Sequence, residues 1–382
     1  MSSSPVLFSP FHIKGLSLKN RIIMAPLYTG YANPDGTVST LLLDHYRRMA
    51  ASGAALIVVE NAIVDPTGAG TPSALRVDDD SFIPSLARLA RTIKDEGALA
   101  FQQINHAGKF AYVAEKAVPS PVQFGETVVK EMTLDEIDCT VEAFASATRR
   151  VKEAGFDGVE IHGGTGYLLV QFLSTRTNQR ADAYGGPIEN RMRFPLRVVD
   201  AVMERVGQDY PVGYRFQADE GLPDGLHPEE TKVLATELEK RGVAYLSVMA
   251  GTYDSFFLPE WIEMERNEAY MAHYAGIIKR SVPRTPVITA GRIQTPGTAN
   301  RILEEGTADL IGLARVLLAD PLWPKKAEGK VLEPIVACEP SCSLCMIRTA
   351  QLKPLFCTRW DKKRRQELLT RVGETEENPQ QA

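Results

Sequence analysis

Eight short apolar runs, separated by amphipathic segments, set the strongest limit on how this 382-residue chain can fold. They are Ile22–Ala25, Ala55–Val59, Ala100–Ile104, Gly158–Ile161, Val212–Phe216, Tyr245–Val248, Pro286–Thr289 and Leu310–Leu313. Each is bounded by Gly, Pro or polar residues. Strands of a parallel sheet are covered on both faces, so they read as continuous apolar runs rather than as alternations. Helical patterns fill the gaps. Thr133-Leu-Asp-Glu136 is a capping box ahead of one face carrying Ile137, Val141, Phe144 and Ala147. Pro187 opens a second helix that runs to about Gly207, Pro228 starts a third closed by Gly242, and Thr298–Glu305 forms a short fourth. This unbroken rhythm predicts an α/β chain folded as one (β/α)8 TIM barrel over residues 1–330. A doubly wound sheet would carry a glycine-rich turn after a strand, and no G-x-G-x-x-G occurs.

The formal charge is −5, so the chain offers no basic footprint for nucleic acid or anionic lipid. Met1 to Pro5 lacks a signal-peptide pattern and no apolar run is long enough to span a bilayer, so the expectation is a cytoplasmic protein. Four of the five cysteines, Cys338, Cys342, Cys345 and Cys357, crowd into residues 331–360. Four soft thiols at close spacing suit an iron–sulfur cluster or zinc, with free thiols the third reading. Cys139 stands apart and is expected to be buried packing. Residues 361–382 read as a charged, disordered tail.

Barrel active sites lie at the C-terminal ends of the strands. Those ends hold Ala25-Pro26-Leu27-Tyr28, Glu60-Asn61, Asn105-His106, His162-Gly-Gly-Thr165-Gly-Tyr167, Ala290-Gly291-Arg292 and Gly312-Leu313-Ala314-Arg315. The loops after the seventh and eighth strands are where barrels hold phosphate; Gly291 admits close backbone approach and Arg292 and Arg315 add charge. Tight turns with solvated arginines are the alternative. Gln103 and Arg215 are polar residues inside apolar strands. They either meet layer neighbours or satisfy the edge of a flat heteroaromatic ring.

The segment from Gly158 to Gly186 decides the family. It contains His162, Thr165 and Tyr167, then Asn178-Gln-Arg180-Ala-Asp182-Ala-Tyr184-Gly-Gly186, followed by Asn190-Arg191. It resembles the signature of the old yellow enzyme family, and the resemblance extends from about Phe8 to Pro321. It implies FMN across the barrel mouth. Pro26, Leu27 and Tyr28 would line the isoalloxazine, Asn61 and Gln103 would meet its pyrimidine edge, and Arg215 would sit by N1 and O2. Gly291, Arg292, Ala314 and Arg315 would hold the phosphate. In the family, the strand-four pair, here His162 and Thr165, binds the electron-withdrawing group of an unsaturated substrate; Tyr167 would give the proton while flavin N5 gives hydride. Most relatives carry His or Asn at Thr165, and many carry Thr or Cys at Tyr28, which puts the usual small enones in doubt.

The cysteine segment resembles the tail of the 2,4-dienoyl-CoA reductase and trimethylamine dehydrogenase branch, which binds a [4Fe–4S] cluster. Three residues rather than two separate Cys338 and Cys342. In that branch FAD and NADPH domains follow; here the expectation is a separate ferredoxin or flavoprotein feeding the cluster, with NADH or NADPH as the other candidate donor. The leading expectation is an ene-reductase acting on an unsaturated carbonyl, acid or thioester. Running in reverse, as an amine or other dehydrogenase, is the alternative; a carrier without substrate and a flavin-free lyase are more distant ones.

Overall fold

The computed structural model describes residues 5–339 and 341–374. Its eight barrel strands are β1 (Ile22–Met24), β2 (Leu56–Ile63), β3 (Leu99–Asn105), β4 (Gly158–Gly163), β5 (Val212–Asp219), β6 (Leu246–Ala250), β7 (Val287–Thr289) and β8 (Leu310–Leu313). All pair in parallel, and β8 pairs with β1 as β1 pairs with β2, so the sheet closes. The outer helices are α1 (Thr40–Ala50), α2 (Ile83–Asp95), α3 (Leu134–Glu153), α4 (Arg193–Val206), α5 (Pro228–Arg241), α6 (Ala272–Ser281), α7 (Pro296–Glu304) and α8 (Arg315–Ala319). The expected TIM barrel is therefore present, with strands matching the apolar runs to within a few residues.

Helix boundaries follow local chemistry. Thr133 Oγ1 accepts from Glu136 N at 3.2 Å while Thr133 N donates to Glu136 Oε2 at 2.7 Å, which sets the start of α3. The inward face of α3 buries Ile137, Val141, Phe144 and Val151, each stabilising by roughly 1.5–3 kcal/mol. Cys139 points the other way and is exposed, contrary to expectation, because it lies about half a turn from that face. α7 begins two residues before the expected Thr298, since Thr295 caps it (Thr298 N to Thr295 Oγ1, 3.2 Å) and Pro296 suits its first turn.

Inside the barrel, Ile23, Leu56, Val58, Phe101, Tyr245, Ile288 and Leu310 fill the lower layers. A Cβ on Gly158 would lie 2.3 Å from the Phe101 ring and one on Gly213 2.2 Å from Tyr245. These two glycines thus make room for the two largest interior rings. A hairpin, Phe11–Ile13 with Leu16–Leu18, adds Ile13 and Leu18 to the same cluster and plugs the N-terminal end. The polar residues are left for the opposite end.

Beyond the barrel, Leu344–Ala350 is helical within the cysteine segment. The expected disordered tail is instead a helix over Lys362–Val372, N-capped by Asp361. Its Leu368 and Leu369 are buried and Arg371 pairs with Asp44 of α1 at 2.9 Å, contacts that a reading of its charge alone misses. Residues 375–382 lie outside the described residues. Among the described residues no helix is long and apolar enough to cross a membrane.

Candidate active site

Sheet register lines up the polar side chains of the mouth. His162, Arg215 and Ser247 are neighbours across β4, β5 and β6, and Arg215 Nη1 donates to Ser247 Oγ at 2.8 Å. His162 is buried, and burial, reinforced by Arg215, brings its pKa down to about 3, so the ring is neutral. The backbone N–H of Gly164 donates to Nδ1 at 3.2 Å. The ring proton therefore belongs on Nε2, which makes Nε2–H a donor.

Tyr167 stands beside it, ring centroids 5.0 Å apart and nearly perpendicular. Burial and then Tyr253 raise its pKa well above the ordinary phenol value, so it stays protonated. Its hydroxyl is 2.9 Å from that of Tyr253, in the loop after β6. Phe110 makes edge contacts with both rings. Lys109 pairs with Asp254 at 2.8 Å, tying the loop after β3 to the loop after β6. Gln171 fixes the loops from below: Oε1 accepts from Lys109 N at 2.9 Å and Nε2 donates to Gly166 O at 2.8 Å. Thr165 has φ +61°, and its hydroxyl lies 3.5 Å from Met249 Sδ.

A cavity runs from this mouth toward β7 and β8. Pro26, Leu27, Arg215, Gly291, Arg292, Ala314 and Arg315 line it, with Met249, Phe256, Glu265, Tyr270 and Cys338. Gly291 has φ +93°, and a Cβ there would lie 2.9 Å from Met271 N, so only glycine lets the loops pack this closely. Glu265 sits between the arginines: Arg315 Nη1 is 2.8 Å from its Oε1 and Arg292 Nη2 is 3.5 Å away. Arg292 Nη1 is buried without a partner. This end of the cavity is built for an anion larger than one carboxylate.

The model of the NADH:flavin oxidoreductase / NADH oxidase family matches residues 6–333. The chain belongs to this family. This is the old yellow enzyme family that the segment from Gly158 to Gly186 resembles. An NADH oxidase of Thermoanaerobacter brockii is 42% identical over 353 residues, 90% of this chain and 54% of the relative. An NADPH dehydrogenase of Geobacillus thermodenitrificans is 38% identical over 326 residues, 84% of this chain and 93% of the relative. The structure of 2-naphthoyl-CoA reductase in complex with 2-naphthoyl-CoA superposes with a TM-score of 0.88 at 26% identity, over 93% of this chain and 57% of that one. The chain spans about half the length of the NADH oxidase it matches.

The residues present fit FMN at the cavity, since the unpartnered guanidinium nitrogen of Arg292 and the glycine cradle at Gly291 both call for a phosphate-like group. Not every expected residue lines it. Gln103 lies deeper, donating to Glu160 Oε1 at 2.7 Å, and Tyr245 donates to the other oxygen of Glu160 at 2.9 Å. Gln103 has therefore taken the layer-neighbour arrangement. Asn61 is half-buried at a bulge in β2 and, among the described residues, its amide has no hydrogen-bond partner. Tyr28 is adjacent, its hydroxyl buried without a partner and its pKa pushed up to about 12 by burial.

The long signature is scaffold rather than site. Asn178 Nδ2 donates to the carbonyls of Phe172 and Tyr184, Arg180 pairs with Asp182 at 2.6 Å and donates to Met132 O, and Arg191 pairs with Glu230. These bonds hold the excursion after β4. Sequence reading missed Met249 of β6, Glu265 at the end of a short helix (Pro259–Glu265) and Tyr270, which line the cavity, and Phe110, which packs on Tyr167 and Tyr253. Their only signal is the aromatic density after β6, where Tyr253 and Phe256 join the site, Trp261 is buried and Phe257 is exposed.

The cysteine segment docks against the same end. Leu355 N donates to Thr29 O at 2.8 Å and Trp360 Nε1 to Leu318 O at 2.6 Å. Cys338 lines the cavity, and burial raises the Cys357 thiol to about 11, with Cys338, Cys342 and Cys345 near enough to add to the shift. Among the described residues no group of three or more His, Cys, Asp or Glu side chains is arranged to hold a metal ion.

Proposed function

We propose that the protein is an ene-reductase that saturates an activated C=C of an unsaturated carbonyl, acid or thioester. The observation that carries this reading is the pairing at β4 of a neutral imidazole donor, His162 Nε2–H, with a phenol that burial keeps protonated, Tyr167. Reduction of such an alkene builds negative charge on the carbonyl oxygen, and a fixed N–H aimed at it stabilises that charge. Thr165 shares this role; its contact is a weak sulfur acceptor, so its hydroxyl is free to turn toward the oxygen. Tyr167 delivers the proton to the α-carbon. Tyr253 supports it as a positioning residue, since the hydrogen bond between the two hydroxyls, 2.9 Å apart, holds the phenol in place.

FMN supplies a two-electron carrier that returns reducing equivalents as hydride. Pro26, Leu27 and Tyr28 would bound its ring, Arg215 would balance charge on it, and Gly291, Arg292, Ala314 and Arg315 would hold its phosphate. Asn61 and Gln103 are proposed to meet the pyrimidine edge of the ring; like Tyr28, they are not among the residues that line the cavity. NADH or NADPH is the proposed donor, in line with the names of the relatives. Cys338, Cys342, Cys345 and Cys357 are proposed to hold a [4Fe–4S] cluster that would take electrons from a ferredoxin or flavoprotein; the reading rests on four soft thiols crowded into one short segment whose Cys338 lines the cavity, and not on a preformed metal-holding arrangement. Residues 331–360 would form that extension to the barrel.

Anaerobic purification, heat release and chromatography of the cofactor test the proposal first. FMN should appear, with four irons and four sulfides per chain. An alkene screen with NADH or NADPH should then show substrate-dependent oxidation. FAD, no flavin, or turnover with amines alone would overturn it.

A further inference from the structure

A second charged cavity, which shares no lining residue with the first, lies where the helix Lys362–Val372 packs on α1. It encloses about 70 Å³, room for a phosphate-sized group but not a nucleotide. Its walls include Tyr31, His45, Arg48, Trp360, Arg364 and Arg371. Arg364 stacks over Trp360, its guanidinium carbon 3.6 Å from the ring centroid. Among the described residues, neither Arg364 nor Arg48 has a carboxylate partner. Burial, and then the like charge of the nearby Arg48, pull the Arg364 pKa down to about 10.

The third wall is His45 of α1, only 7% exposed. Its Nε2 is buried without a hydrogen-bond partner, as is Nε of Arg364. Burial, then Arg364 and Arg48, hold the imidazole neutral, with a pKa of about 3. The carboxylates at the rim do not answer this demand. Asp44 is engaged by Arg47 at 3.0 Å and Arg371 at 2.9 Å, and Glu367 is exposed. Arg364 Nε and His45 Nε2 are therefore buried beside a small space with nothing to accept a hydrogen bond, and the exposed Arg48 lines the same space. Buried donors in this state cost free energy unless a ligand completes them.

We propose that this cavity binds one small oxyanion, a phosphate or a carboxylate, held by Arg48, Arg364 and the Nε2–H of His45. Such an anion joins α1 to the C-terminal helix, and so braces the segment in which Tyr31 donates to Leu355 O and Trp360 caps Leu318. It is independent of the flavin phosphate position, which involves Arg292 and Arg315.

The test is isothermal titration calorimetry of the FMN-saturated protein with inorganic phosphate, and separately with succinate, against chloride at matched ionic strength. Saturable one-to-one binding is expected for at least one of them, weakened at least tenfold in Arg48→Gln. Arg48 is exposed and unpaired, so that variant keeps the fold. Arg364→Met should abolish binding, and Trp360 fluorescence should respond to the anion only in the wild type. Binding of phosphate alone or succinate alone identifies the ligand class. No saturable binding of either, or binding unchanged in Arg48→Gln, overturns the site.

Discussion

The two halves of the barrel mouth solve opposite electrostatic problems. On the β4–β6 side the functional groups are neutral: His162 is deprotonated, Tyr167 and Tyr253 are protonated, and burial is the first cause of each state. On the β7–β8 side the groups are charged, with Arg292 and Arg315 around Glu265 and one nitrogen still unpartnered. On the second side burial leaves a guanidinium nitrogen of Arg292 without a partner. The lesson is that a proton-donating site is set by desolvation and an anion site by an unmet charge, and the two should fail under different perturbations.

Acid should break the comparison most strongly. His162 and His45 have folded pKa values of about 3 and buried His106 of about 4, all below the unfolded value near 6.5. The unfolded chain then binds more protons, so the stability these rings contribute is full above pH 6.5 and lost as pH falls toward 4 and 3. The slope should approach about 1.4 kcal/mol per pH unit for each ring. Denaturant melts across pH 7 to 4 measure it, and the FMN-phosphate arginines should take no part. Next in size is Tyr167→Phe, expected to slow alkene reduction roughly 10²-fold while reduction of the flavin by its donor is nearly unchanged. Equal loss in both half-reactions would make Tyr167 structural.

Arg315→Ala should weaken FMN by about 2 kcal/mol, roughly 30-fold, and leave the rate of the FMN-saturated protein close to normal. Equilibrium dialysis against FMN checks the first and saturating turnover the second. Tyr253→Phe removes one hydrogen bond from the acid, so kcat should fall about fivefold with KM little changed. The smallest effect is expected from Glu265→Gln. Loss of the carboxylate that competes with phosphate for both arginines should tighten FMN about two- to threefold. Weaker FMN binding would instead make Glu265 the group that aims the arginines.

The barrel was legible because closed parallel strands must be apolar on both faces, which leaves short apolar runs alternating with amphipathic helices. The plugging hairpin was not, since three-residue strands carry too little periodicity. The helix Lys362–Val372 was hidden by its charge, although Leu368 and Leu369 form its one buried edge. At the site, strand-end residues such as His162, Arg215 and Arg315 were readable because register fixes where strand ends point. Glu265, at the end of a short helix, and Phe110, in a turn after β3, arrive by an approach that is tertiary, and Gln103 was satisfied by Glu160, a partner 57 residues away in the chain. The longest motif proved most specific for the family and least involved in the cavity, because its Asn, Arg and Asp side chains bond chiefly to one another and to nearby backbone.

The most direct test of the account is a single anaerobic turnover. The FMN-loaded protein is reduced with one equivalent of donor, then mixed with an α,β-unsaturated thioester or ketone, and return of the oxidised flavin absorbance is followed with product analysis. The account predicts rapid, saturable reoxidation with one saturated product per flavin, and no reaction with the already saturated compound. A reduced flavin that ignores every activated alkene, yet is promptly reoxidised by a dye or an acceptor protein, would contradict it and assign the barrel to dehydrogenation instead.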